Sequence, residues 1–165
     1  MGTRRITFSL DRDSIGNAIE ELRRFRTDYM NWIRQLVEAL AEEGESEAKI
    51  QVAFMSAIDT GELQDSIVGY YDPDTHVGFV RTNCMYAAFV EYGTGVVGSR
   101  NPHPAPGGWV YDVNEHGDRG WTYFSERDGQ FHWTKGVPYR PFMYETYKHL
   151  QRITHRLADQ IFGNI

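Results

Sequence analysis

The chain reads as an α+β protein. Three observations carry that reading. A long stretch after residue 10 repeats apolar residues at steps of three and four. Two pairs of short apolar runs are joined by Asp-Pro and Asp-Gly turns. The C-terminal stretch returns to the helical step. These patterns predict a long amphipathic helix and a C-terminal helix packed on a mostly antiparallel β-sheet, with a long aromatic-rich loop and hairpin. The 165 residues suit a single domain, 1–165.

Arg5-Ile6-Thr7-Phe8-Ser9-Leu10 alternates polar and apolar residues, which predicts a strand with Ile6, Phe8 and Leu10 on one face. Asp11 or Asp13 then supplies a helix cap. Ile15, Ile19, Leu22, Phe25, Tyr29, Trp32, Ile33, Leu36, Val37 and Leu40 form one stripe, and Gly44 is the expected stop. The helix is then roughly 30 residues, or some 45 Å. That length leads us to expect either a break near Arg26-Thr27-Asp28 or an overhang beyond the body. In the next segment Ile50, Ala53, Phe54, Ala57 and Ile58 suit a helix face, while Ile50, Val52 and Phe54 suit a strand; a helix is expected.

Asp59-Thr60-Gly61-Glu62 is turn chemistry and leads into a strand over Ser66–Tyr71. The Asp72-Pro73-Asp74-Thr75 turn returns it as Val77–Thr82. A second hairpin, Trp121–Ser125 with Gln130–Thr134, turns at Asp128-Gly129. Pro141 opens the last helix, with Phe142, Tyr147, Leu150, Ile153, Leu157, Ile161 and Phe162 as its stripe. Residues 95–120 form a long connection containing Trp109, Val110 and Tyr111, which is expected to become ordered on assembly. Tyr86–Tyr92 ends at Gly93-Thr94-Gly95, and its apolar side chains, Phe89 included, are expected to pack on the sheet as core.

Composition narrows the function. Apolar residues are 41% and charged residues 24%, as in globular proteins. The formal charge of -6 is the reverse of the basic balance that phosphate-gripping proteins carry. Arg4-Arg5 and Arg23-Arg24-Arg26 read better as solvated faces than as a nucleic-acid patch. No apolar run approaches the roughly 20 residues that span a bilayer, so no membrane is expected as a partner. The basic N-terminus lacks the apolar core of a signal peptide. Cys84 is the only cysteine, which excludes an intramolecular disulfide and suits a small buried apolar role.

No catalytic constellation stands out. His103, His116 and His132, with Asp112, Glu115 or Glu91, lack metal-ligand spacing and read as exposed or locally bonded histidines, His103 and His116 in loops. Glu91 lies in an apolar stretch. Its carboxylate serves either as a general base, or as a cap for donors around Gly93-Thr94-Gly95, or as an arginine partner; a structural role is the better reading. The Gly93–Gly98 run lacks the lysine of a phosphate loop, and no helix is expected to open at its end. Neither cofactor nor metal is expected.

An ordered series of motifs adds a resemblance. It comprises Thr60-Gly61-x-Leu63-x-x-Ser66-Ile67; Tyr86-Ala87-x-x-Val90-Glu91-Tyr92-Gly93-Thr94-Gly95; His103-Pro104, Gly108-Trp109 and Gly120-Trp121; His132-Trp133-Thr134-Lys135-Gly136; and Arg140-Pro141-Phe142-Met143-Tyr144. Over residues 60–144 this series resembles the tail-component family encoded in the neck-gene cluster of siphophages and prophages. Many members carry a proline before the Thr-Gly turn, where this chain has Ala57-Ile58-Asp59.

The resemblance implies a non-enzymatic virion protein of the head–tail junction: a neck, tail-completion or tail-terminator subunit. It would be made in the host cytoplasm and assemble as a homo-oligomeric ring, hexameric or dodecameric. Head-closure and tail-tube proteins would be its neighbours, and DNA would pass through without specific binding. The candidate subunit interface is Trp109, Tyr111, Trp121 and Tyr123, meeting part of the helix from Ile15 to Leu40. Two other classes stay open here: a small metal-dependent hydrolase using His103, His132 and Glu91, and a host-factor binding module.

Overall fold

A computed structural model describes residues 6–55, 57, 61–125 and 127–163. The architecture is α+β. Helix α1 spans Arg12–Phe54, 43 residues, or about 64 Å at 1.5 Å per residue. Asp11 caps it by accepting the Ser14 N–H at 2.8 Å. The helix runs unbroken through residues 26–28 and through Gly44, so the expected stop is overturned. Gly44 is buried, with Val80 and Leu150 packed where its side chain would stand. Close packing there offsets the roughly 1 kcal/mol that glycine costs inside a helix. The ambiguous segment after Glu45 is helical as far as Phe54.

The strand expected at residues 5–10 does not form over residues 6–10, and Phe8 and Leu10 are exposed. Alternation alone does not hold a strand, which needs a neighbour to complete its hydrogen bonds. Arg4 and Arg5, Ile58 and Asp59, and Thr60 of the first motif lie outside the described residues.

A short helix α2, Glu62–Asp65, follows a left-handed Gly61. It delays the first strand, so β1 is Val68–Asp72, not Ser66–Tyr71. Leu63 and Ile67 are fully buried at this corner. Strand β1 pairs antiparallel with β2, Val77–Arg81, in the register Tyr70↔Phe79. Asp72 builds the turn by accepting from Asp74 N at 2.9 Å and Thr75 Oγ1 at 2.6 Å. This hairpin lies on α1, with Gly78 against Val37 and Gly69 against Ala41.

The middle of the chain holds α3, Ala87–Tyr92, and α4, Gly95–Arg100, followed by a single 3-10 turn at Gly117–Arg119. Strands β3, Trp121–Ser125, and β4, Gln130–Thr134, form the second antiparallel hairpin with Tyr123 opposite His132. The two hairpins are separate two-stranded sheets.

Helix α5, Phe142–Phe162, runs back along α1. Phe142 sits in the core with Ala48 and Val52, and Phe162 meets Tyr29 and Trp32 at the other end. The core joins Ala48, Val52, Leu63, Ile67, Cys84, Ala87 and Phe142. Each large apolar side chain buried there contributes about 1.5–3 kcal/mol. The stretch of α1 before Tyr29 extends past the end of α5 and leaves Ile15, Ile19 and Leu22 exposed.

Candidate functional site

Residues from four of the five motifs converge on one knot. Its first part is a pair of crossing backbones. Thr94 N donates to the Val137 carbonyl at 2.9 Å, and Val97 N to the Lys135 carbonyl at 3.2 Å. Gly95 (φ 60) and Gly136 (φ 107) face one another across this crossing. A side chain on Gly95 would strike the Lys135 carbonyl, and one on Gly136 the Thr94 carbonyl. Both therefore need glycine twice over, for positive φ and for contact distance. Thr94 Oγ1 also accepts the Val137 N–H at 3.3 Å.

The second part is a buried acid. Helix α5 begins behind Pro141, whose side chain makes no capping bond. The Met143 and Tyr144 N–H groups are the donors that an N-cap side chain would normally take. Glu91 takes them from α3: Met143 N donates to Oε2 at 2.9 Å and Tyr144 N to Oε1 at 3.0 Å. The helix dipole favours the negative charge there. Neither structural role expected for Glu91 is its actual one, because its donors come from α5 and its side-chain partner is a histidine, not an arginine.

That histidine is His103. Its Nδ1 accepts the Ala105 N–H at 2.9 Å, which places the ring proton on Nε2, 3.2 Å from Glu91 Oε1. At 3% exposure, His103 is the locally bonded histidine of the two expected alternatives, not the exposed one. Tyr92, Tyr139 and Tyr144 close around its ring. Burial pushes the Glu91 carboxyl above its ordinary range, and the Met143 and Tyr144 amides and His103 pull it back only in part. Both carboxylate oxygens and both ring nitrogens are engaged within the chain.

Trp109 stacks on Tyr92 at 5.1 Å and donates its indole N–H to the Gly93 carbonyl at 2.9 Å. The Tyr111 hydroxyl accepts the His103 N–H, and the Tyr111 carbonyl accepts the Gly95 N–H. Arg140 N bonds the Val90 carbonyl at 2.7 Å. Gly61, Leu63, Ser66, Tyr86, Ala87 and Phe142 belong instead to the core and its rim; the Ser66 hydroxyl bonds Leu63 O and Thr82 Oγ1. Lys135 lies over the Trp133 ring.

Of the four aromatics expected at a subunit interface, only Tyr123 is exposed, at 47%. Trp109, Tyr111 and Trp121 are half-buried in contacts within the chain, Trp121 on His116. Phe89 is 40% exposed and rests on Trp109, so it is not core, and its segment is a helix beside α5 rather than a layer on the sheet.

A helix does open at Gly95, contrary to expectation. Beside it lies a cleft of about 110 Å³, lined by Gly95, Val96, Ser99, Tyr111, Asp112, Gly117 and Asp118. Its two aspartates disfavour phosphate, and Asp112 is already committed to the His116 and Gly117 N–H groups. The structure brings Glu91 and His103 together but leaves His132 in the second hairpin, paired with Asp128 at 2.8 Å. Among the described residues no group of three or more His, Cys, Asp or Glu could hold a metal ion, and no helix is long and apolar enough to cross a membrane.

No local pattern links residues 91, 103 and 143, so the acid–imidazole cap was beyond sequence reasoning. Compared with protein-family models, curated proteins and solved structures, the chain matches none.

Proposed function

We propose that this chain is a non-enzymatic structural subunit of a tailed-phage head–tail junction. Its copies form a ring that joins the head-closure layer to the tail tube, with DNA passing through. The observation that carries this reading is the fate of the shared motifs. Residues from four of the five meet in one knot, where the polar side-chain atoms of Glu91, Thr94, His103 and Trp109 are spent on backbone N–H groups, a carbonyl and each other. Such residues secure a shape, and a shape is what a joining subunit supplies. The net charge of -6 supports a lumen that repels phosphate and does not trap the duplex. The hydrolase reading draws no support from the geometry, since His132 is paired with Asp128 and, among the described residues, no group of three or more His, Cys, Asp or Glu could hold a metal ion.

The test is a phage or prophage in which this gene carries a nonsense codon. Filled heads and separate tails should accumulate, and complementation should join them. Normal joined particles, or a map of the neck showing this chain as isolated copies or two-fold pairs, would refute the reading.

A further inference from the structure

The head-to-tail arrangement in that reading requires two different surfaces on each subunit, and the structure leaves two bare. The first is one face of the second hairpin. In the β3–β4 register Thr122 lies opposite Trp133 and Phe124 opposite Phe131, so these four share a face. Phe124, Phe131 and Trp133 are 52%, 75% and 62% exposed. The opposite face carries Trp121, Tyr123 and His132, and is partly occupied by stacking with His116 and pairing with Asp128. An isolated two-stranded hairpin is marginal in water and gains from a helix laid on its face.

The second surface is the overhang of α1. Ile15, Ile19, Leu22, Arg26 and Met30 follow one another at steps of four and three, and all are exposed. The same row continues into Ile33, Val37 and Ala41, and Val37 and Ala41 are where β1–β2 lies on the helix. Thus the helix face that takes one hairpin within the chain runs on uncovered for about another 25 Å. Arg26 stands in the middle of it, with no ion pair among the described residues. A guanidinium there suits aromatic rings, over which it binds face-on.

We infer that the Phe124–Phe131–Trp133 face of one copy docks on the Ile15–Met30 face of the next copy, with Arg26 over the Phe124 and Phe131 rings, since Lys135 already lies over Trp133. Areas agree with that occupant. Three aromatics half to three-quarters exposed offer roughly 350 Å², and the five helix side chains offer a similar amount. One seam covers about 700 Å² of mostly apolar surface, about three-quarters of the roughly 900 Å² apolar share of a standard interface of about 1,600 Å². Each copy carries one such exposed hairpin face and one overhang, so satisfying both repeats the contact and closes a ring or grows a filament.

Cysteine cross-linking of the full chain, in a Cys84→Ala background, tests this. Leu22→Cys and Phe131→Cys chains mixed together should form a heterodimeric disulfide, and the double variant a ladder of multimers. Leu22→Cys pairing with itself, or Phe131→Cys with itself, signals a two-fold contact and overturns the inference. Equal linking of Leu22→Cys to Tyr123→Cys, on the other hairpin face, also overturns it. So does the absence of any cross-link at the highest soluble concentration, with folding verified by circular dichroism.

As a second measurement, Leu22→Asp and Trp133→Asp should each weaken association by about tenfold or more in sedimentation; unchanged association is a negative result. A ladder in vitro with normal head–tail joining in phage lacking the chain removes the junction reading and leaves this interface standing. A joining defect without a ladder does the reverse.

Discussion

Replacing Glu91 with alanine removes the cap of α5 from a position 52 residues away. Three donors lose their acceptor: Met143 N–H, Tyr144 N–H and His103 Nε2–H. A buried donor left unsatisfied costs about 1–3 kcal/mol, and losing the charge at the helix N-terminus adds about 0.3–1 kcal/mol. Against this, the variant no longer buries a carboxylate. The net expectation for Glu91→Ala is a loss of about 3 kcal/mol. Glu91→Gln keeps one oxygen but turns an amide N–H₂ towards Met143 N or towards the other two donors, and should lose about 1–2 kcal/mol.

Urea unfolding reads the difference. With a slope of about 2 kcal/mol per molar, the alanine variant should unfold about 1.5 M earlier. Hydrogen exchange at Met143 and Tyr144 should accelerate along with it. An unchanged midpoint, or equal protection of those two amides, would refute the reasoning. The pH dependence has a defined sign. Because burial raises the Glu91 pKa above 4.5, the folded chain holds a proton where the unfolded chain has released it. Stability from this group is full below 4.5 and declines as pH climbs through the raised value. Glu91→Gln lacks that slope, so the advantage of the natural chain over it should narrow as pH rises above 4.5.

Three further expectations follow from the packing. The Glu45 carboxyl is held below 4.5 by the Lys49 ammonium and then the Gly69 N–H, so its stabilisation is present above 4.5 and lost as pH falls through the lowered value; Glu45→Gln should flatten that part of an acid-unfolding curve. Gly136→Ala forces a side chain to φ 107 and into the Thr94 carbonyl, and should cost at least about 2 kcal/mol, measured as a fall in the unfolding midpoint. Phe142→Ala empties a fully buried site and should cost about 3–5 kcal/mol. Phe89→Ala, at 40% exposure, should cost clearly less in the same assay.

Helix α1, helix α5 and both hairpins were legible in the sequence because their signals are local. A stripe at steps of three and four, or Asp-Gly between alternating runs, depends only on residues within a turn or two of each other. The length of α1 was not legible, because Gly44 taken alone is a stop signal. Only the fold puts Val80 and Leu150 over it and makes the missing side chain an advantage.

The N-terminal alternation predicted a strand, which forms only beside another strand, and none of the described residues pairs with 6–10. Glu91 was visible as an oddity in an apolar run, but its role was not. His103 lies 12 residues away and Met143 52, and a carboxylate chooses among donors by distance in space, not in sequence. Likewise Gly95 and Gly136 each read as ordinary turn glycines. That they must both be glycine follows from two backbones touching, which tertiary structure alone decides.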